Sequence, residues 1–325
     1  MSDGTKIEWT DATWNVITGC SIKSKGCTNC YAMKLAGTRL RHHPSRVGLT
    51  QDSAAGPVWN GQVRFNDQWL SQPLDWKRPR QIFVCAHGDL FHESVPDEWI
   101  DKVFAVMALG SQHTFQLLTK RADRMRAYMQ MVSADGGTQR WINHAVEIAD
   151  SPCVAGFMED LDWPLPNVWL GVSAEDQDTA NERIPDLLAT PAAVRWISAE
   201  PLLGPIDLAS IAYGDGFYVN TLVVQNTEDV IVQPAIDWVV AGGESGQRAR
   251  PMHPDWARSL RDQCASAGVA FHFKQWGEWV SVSEVAGKGD HHYFNDGATV
   301  RRVGKKKAGR TLEGVLHDSY PKGAL

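Results

Sequence analysis

Seven short apolar runs, each closed by polar residues, constrain the fold of this chain more than any other feature of its sequence. Residues 14–18 end at Gly19-Cys20, 82–86 at His87-Gly88-Asp89, and 114–118 at Thr119-Lys120-Arg121. Residues 168–172 end at Ser173-Ala174-Glu175, and 194–197 at Ser198-Ala199-Glu200. Residues 238–241 end at Gly242-Gly243-Glu244-Ser245, and a seventh run, 269–273, ends at Lys274-Gln275. The runs are β-branched or aromatic and apolar on both faces, as buried parallel strands are. Helical patterns lie between several of them, at 96–109, 176–188 and 254–267. Strand and helix in alternation make a parallel α/β sheet.

The polar endings decide between a barrel and an open sheet. In a barrel the C-terminal ends of all strands converge on one mouth, where active sites are built. An open sheet concentrates its ligand site at one switch point. The expectation is therefore a partial (β/α) barrel of six or seven parallel strands over residues 1–275, with a C-terminal cap over 276–325. Three stretches break the alternation. Residues 40–79 read as a loop excursion with little regular structure, 132–166 as an insertion, and 207–235 as a hairpin insert around Gly214-Asp215-Gly216.

Composition enters only as a bound. The 325 residues suffice for one large α/β domain or two ordinary ones. No apolar run is long enough to cross a bilayer, and the N-terminus lacks a signal-peptide core, so no membrane partner and a cytoplasmic location are expected. A net charge of −6 speaks against a chain-wide grip on nucleic acid. Local basic clusters remain: Arg39, Arg41 and Arg46; Lys120, Arg121, Arg124 and Arg126; and a third over 301–310, read as a solvated surface.

Three of the six cysteines, Cys20, Cys27 and Cys30, lie within eleven residues in a C-x6-C-x2-C pattern, directly after the first run. Clustering of this kind is what a metal site requires. Structural zinc and ferredoxin-type clusters take four protein ligands; three cysteines leave one iron open for a small molecule. A zinc site completed by His87 or Cys85 is the competing reading.

Cysteines in this position resemble those of the radical S-adenosylmethionine superfamily. The chain also resembles a phage-associated three-cysteine-motif family of uncharacterised function. That likeness is carried by the stretches 7–15, 19–32, 89–92, 117–121, 171–173, 198–202, 242–246 and 274–277. The superfamily's usual spacing is C-x3-C-x2-C with an aromatic before the third cysteine. Here the first gap is longer, Asn29 holds that place, and the aromatic is Tyr31.

The resemblance implies a [4Fe–4S] cluster on Cys20, Cys27 and Cys30, and S-adenosylmethionine as second cofactor. Asp89 would take its amine, and Ser173 and Glu175 its ribose, assisted by Ser198 or Glu200. Gly242 and Gly243 would admit its adenine. Lys120, Glu244 and Lys274 complete the polar ring as catalytic candidates. The implied function is reductive cleavage of S-adenosylmethionine and hydrogen abstraction from an unknown substrate, with an external electron donor. A nucleic acid or nucleotide is a candidate substrate. The alternative is a non-catalytic zinc- or cluster-binding module for nucleic acid or protein. Of the 14 tryptophans, Trp169, Trp196 and Trp238 are expected in the core, and Trp9, Trp14, Trp276 and Trp279 near the mouth, as core residues or as stacking platforms for a nucleobase.

Overall fold

The structure, a computed structural model, describes residues 4–134, 136–214, 216–227, 230–233 and 235–322. Its principal sheet has seven strands: β1 (Ala12–Trp14), β2 (Gln81–Val84), β3 (Thr114–Thr119), β4 (Val168–Ser173), β5 (Val194–Ala199), β6 (Trp238–Gly242) and β7 (Ala270–Gln275). They are hydrogen-bonded in chain order, β1 through β7. Unreversed order is that of a β/α barrel, whereas a doubly wound sheet turns back at a switch point. β1 and β7 are not neighbours among the described residues, so the barrel is partial.

The strands form where both faces can be buried: every residue of β2, β4 and β6 is buried. Register is parallel, for example Ala12 opposite Ile82, Ile82 opposite Phe115, and Val239 opposite both Ile197 and Phe271. Between β6 and β7 the register slips after Ala241, so that Gly242 faces Gln275 and Lys274 is passed over. Such a bulge re-aims a side chain at a strand's end.

The α-helices among the described residues are α1 (Tyr31–Gly37), α2 (Asp97–Leu109), α3 (Ala122–Ser133), α4 (Gln139–Ala149), α5 (Val154–Glu159), α6 (Gln177–Leu188), α7 (Pro254–Ala267) and the single turn α8 (Lys305–Ala308). α7 shows its local logic plainly. The His253 side chain caps it by accepting from the Asp255 amide, Pro254 occupies the first turn, and Gly268 ends it in the left-handed region. No helix among the described residues is long and apolar enough to cross a membrane.

The chain divides into two compact units, and the division falls inside β4. The first comprises Met1–Lys23, Cys30–Gly171 and Ala189–Ala193; the second comprises Ser24–Asn29, Val172–Leu188 and Val194–Leu325. The first packs Phe104 on Trp141, ring centroids 4.6 Å apart, and Trp14 against Phe115. The second packs Trp196 on Trp238 and Phe273 against Trp276. Trp169, Trp196 and Trp238 are core residues, as expected. Trp9, Trp14 and Trp276 are buried too, and the Trp14 and Trp276 indoles donate to the Trp69 and Thr311 carbonyls. They offer no face to a nucleobase.

Several boundaries differ from the sequence reading. The first strand is residues 12–14, not 14–18: the apolar run continues past the sheet, and Ile17–Thr18 pairs antiparallel with Arg64–Phe65. The 40–79 excursion contains a hairpin, Thr50–Ser53 with Gly56–Trp59. Thr50–Ser53 is largely exposed and Gly56–Trp59 is half-buried, with Trp59 in the core, so neither strand writes an alternating pattern. The 132–166 stretch is helical, holding α4 and α5. In the 207–235 stretch Ile211–Ala212 pairs with Tyr218–Val219; Asp215, 228–229 and Pro234 lie outside the described residues. Beyond Trp276 come a three-stranded antiparallel sheet and a short hairpin, which group with the second unit.

Candidate functional site

The cysteine segment leaves β1 through Thr18-Gly19. Gly19 has φ +96°, and a Cβ there would lie 2.2 Å from the Gln62 carbonyl oxygen, so only glycine lets the chain pass. Residues 25–27 form one turn of 3₁₀ helix, and Cys30 precedes α1. Cys20 and Cys30 are half-buried, Cys27 is buried, and all six cysteines of the chain are free thiols. Cys20 and Cys30 both pack against the apolar cluster of Ala32, Met33, Ala36, Leu49 and Trp59.

In the first unit the segment meets Arg121, which follows β3 and is almost wholly buried. Its Nη2 donates to Ser21 Oγ at 2.6 Å, and its Nη1 lies 3.6 Å from Cys20 Sγ. Behind it stands Asp89, at 3.1 Å. Asp89 also accepts from the Thr119 hydroxyl at 2.7 Å and from the Phe91 and Lys120 amides. Glu93 takes the guanidinium's Nε, and His92 Nε2 reaches Ser21 Oγ at 3.0 Å. Burial works against the charge on Arg121, but Asp89, Cys20 and Glu93 outweigh it and raise its pKa. Asp89 thus anchors an arginine whose guanidinium also reaches Ser21 and Cys20.

In the second unit two strand-end carboxylates face the residues 24–29 turn. Glu175, fully buried just past β4, accepts from Ser24 Oγ at 3.0 Å and pairs with buried Arg183 of α6 at 3.1 Å. Gly26 rests on it: a Cβ at 26 would fall 2.3 Å from Glu175 Oε1. Glu244, just past β6, accepts from Asn29 Nδ2 at 2.9 Å and holds Arg250 through two side-chain bonds of 2.6 and 2.9 Å. Arg250 Nη1 in turn donates to the Lys25 carbonyl at 3.0 Å. Burial would raise the Glu244 pKa, but bonds from Arg250 and Asn29 overcome it and hold it below the ordinary carboxylate range. Both acids thus bond to residues of the 24–29 turn and to an arginine. Ser24, Asn29, Arg183 and Arg250 are partners of these acids that the sequence reading does not name as such; the polar character of the loop points to Ser24 alone, and nothing in the sequence singles out the two arginines.

The other candidates divide clearly. Ser173 and Ser198 are buried at the ends of β4 and β5, where their carbonyls accept from Arg183 and the Ala174 amide. Glu200 pairs with Lys274 Nζ at 2.7 Å and accepts from Gln275 Nε2 at 3.1 Å. The slip beside Lys274 is what sets this lysine on Glu200. Gly242 lies under Glu200, and Gly243 passes so close to Trp276 that a Cβ would sit 2.0 Å from its carbonyl oxygen. Lys120, half-buried, supplies its amide to Asp89.

Of the fourth-ligand candidates for zinc, Cys85 is buried, and burial pushes its thiol up to about 12. Burial and Arg46 push His87 down to about 4, and its Nδ1 faces Arg46 Nε at 3.4 Å. Among the described residues one group of three ligand atoms lies within 4.8 Å, that of His253, Asp255 and Asp296. There His253 caps α7 through Nδ1 and meets Asp296 through Nε2, which accounts for the geometry without an ion. The first two basic clusters are not a nucleic-acid face as a whole: Arg46 and Arg121 are buried, and Arg124 pairs with Asp97. Lys305–Lys307 remain exposed, in keeping with a solvated surface.

Unreversed strand order and flanking helices define an α/β protein of the partial-barrel class. The chain belongs to the family described as a protein of unknown function, DUF5131, whose model matches residues 4–321. No curated protein and no solved structure matches it.

Proposed function

We propose that the chain is an iron–sulfur enzyme of the radical S-adenosylmethionine kind, holding a [4Fe–4S] cluster through Cys20, Cys27 and Cys30. The observation that carries this reading is the bracing of the polar side chains between the cysteines. Ser21 is held by Arg121, Ser24 by Glu175 and Asn29 by Glu244, each backed by a partner of opposite charge. A loop without a ligand to present does not require buried charges at so many points, since each costs desolvation. The donor chemistry suits it: the motif offers three thiols, all free, and a cluster held by three cysteines keeps one iron open. With an external electron donor, such a cluster supplies one-electron cleavage of S-adenosylmethionine and hydrogen abstraction from a substrate, a nucleotide or nucleic acid among the candidates.

The protein's own groups have definite work in this reading. Arg121 donates toward the Cys20 sulfur, and hydrogen bonds to cluster sulfurs are one of the levers on reduction potential. Asp89, Glu175 and Glu244 are occupied by arginines, and Glu200 and Lys274, past β5 and at the end of β7, pair with each other; in this reading that last pair parts to take the second cofactor. Free thiols throughout suit a reducing, cytoplasmic compartment.

That occupation of three acids favours a second reading, a cluster-binding module without catalysis. Calorimetric titration of the anaerobically reconstituted protein with S-adenosylmethionine separates the two. Binding that Glu200→Ala or Lys274→Met weakens supports the enzyme. Absence of binding at millimolar cofactor by a cluster-loaded chain puts the module in its place.

A further inference from the structure

Resting on the cluster reading above, we infer that Glu175 and Glu244 are positioning residues for Cys27, acting through the turn that carries it. Six residues separate Cys20 from Cys27. A free loop of that length leaves the second thiol a wide choice of positions, and fixing it costs conformational entropy. The turn's own bonds are few: the Cys27 amide to the Ser24 carbonyl, and the Thr28 amide and hydroxyl to the Lys25 carbonyl. One turn of 3₁₀ helix does not hold itself in water.

The second unit supplies what the turn lacks. Glu175 takes the Ser24 hydroxyl at one end, and Glu244 takes the Asn29 amide at the other. Between them Gly26 lies against Glu175, and Arg250, itself held by Glu244, takes the Lys25 carbonyl. Bonds to an ionised acceptor are stronger than neutral ones. Cys27 sits inside this clasp with 9% of its surface exposed. The longer first gap is thereby explained: its extra residues are the part that docks. Both acids grip the turn at Ser24, Gly26 and Asn29, and act on the thiol through its backbone.

The test uses the full-length chain without iron. Each cysteine's rate of alkylation by N-ethylmaleimide is resolved by mass spectrometry, and iron and visible absorption are then measured after reconstitution. In Gly26→Ala the new methyl must displace Glu175, and Cys27 is expected to label about tenfold faster, as for a local opening. Buried Cys264 should keep its wild-type rate, which excludes general unfolding, and iron bound per chain should fall by more than half. Ser24→Ala, a milder change that keeps the fold, should move both readouts in the same direction, and Ser24→Thr should restore them. Wild-type labelling of Cys27 in both Gly26→Ala and Ser24→Ala overturns the inference. Because labelling needs no iron, faster Cys27 labelling in a chain that takes up no cluster would keep the positioning role while refuting the cluster. A normal wild-type cluster with unaltered labelling in the variants would do the reverse.

Discussion

The two units hold their portions of the cysteine loop with opposite polarity. In the first, a cation faces the loop: Arg121 reaches Ser21 and the Cys20 sulfur, with Asp89 behind it. In the second, anions face the loop: Glu175 and Glu244 take Ser24 and Asn29, with Arg183 and Arg250 behind them. Each arrangement matches what it holds. A thiolate gains from a neighbouring cation, so the arginine stands beside a sulfur. The 24–29 turn presents a hydroxyl and an amide that must donate, so acceptors face it. The pairs also differ in depth. Glu175 and Arg183 have side chains only 1% exposed, Asp89 and Arg121 are nearly as deep, and Arg250 is about a third open to solvent.

Depth sets the size of the expected effects. Glu175→Ala should be the most damaging of the three acid truncations, at about 3–5 kcal/mol of unfolding free energy, because Arg183, 1% exposed, loses its buried counter-charge and is left with Glu182 at 3.7 Å and the Ser173 carbonyl. Asp89→Ala should cost about 2–3 kcal/mol, since Arg121 keeps Glu93 and Ser21. Glu244→Ala should cost about 1–2 kcal/mol, because water reaches the abandoned Arg250. Urea unfolding of the iron-free protein measures the series. Equal costs for Glu175→Ala and Glu244→Ala would break the argument from depth, and a double variant Glu175→Gln, Arg183→Met should be milder than Glu175→Gln alone.

Acid should separate the units more gently. His87, in the first unit, is held neutral, so the unfolded chain binds its proton first. Its contribution is present above about pH 6.5 and is lost as pH falls toward about 4. Glu244, in the second, is held ionised. Its contribution is present above the ordinary carboxylate value of about 4.3 and is lost as pH falls through its lower native value. Hydrogen exchange followed peptide by peptide should show first-unit protection declining in mild acid before that of the 24–29 turn. His87→Asn should abolish the earlier decline. Simultaneous loss in both units would contradict the assignment.

The frame of this fold was legible in the sequence because burial on both faces writes itself as continuous apolar runs. The runs from 82 onward coincide with β2 to β7, and the helical pattern over 254–267 coincides with α7. β1 was displaced because an apolar run does not say which partner it pairs with, and Ile17–Thr18 turns to Arg64–Phe65. At the site, residue type and position at strand ends were legible, and partners were not. Asp89, Glu175 and Glu244 stand where a ligand would meet them. Whether a ligand or the protein's own loop arrives there depends on contacts spanning 151 residues for Ser24 with Glu175 and 215 for Asn29 with Glu244. The register slip that sets Lys274 on Glu200 leaves no mark in the sequence either.

The cluster itself is the central claim, and iron and acid-labile sulfide analysis after strictly anaerobic preparation tests it most directly. The expected result is about four irons and four sulfides per chain. That content should be lost in Cys20→Ser, Cys27→Ser or Cys30→Ser and kept in Cys153→Ser and Cys264→Ser, whose thiols lie outside the motif. Stoichiometric zinc without sulfide in the wild type, or iron retained when Cys27 is replaced, would contradict it.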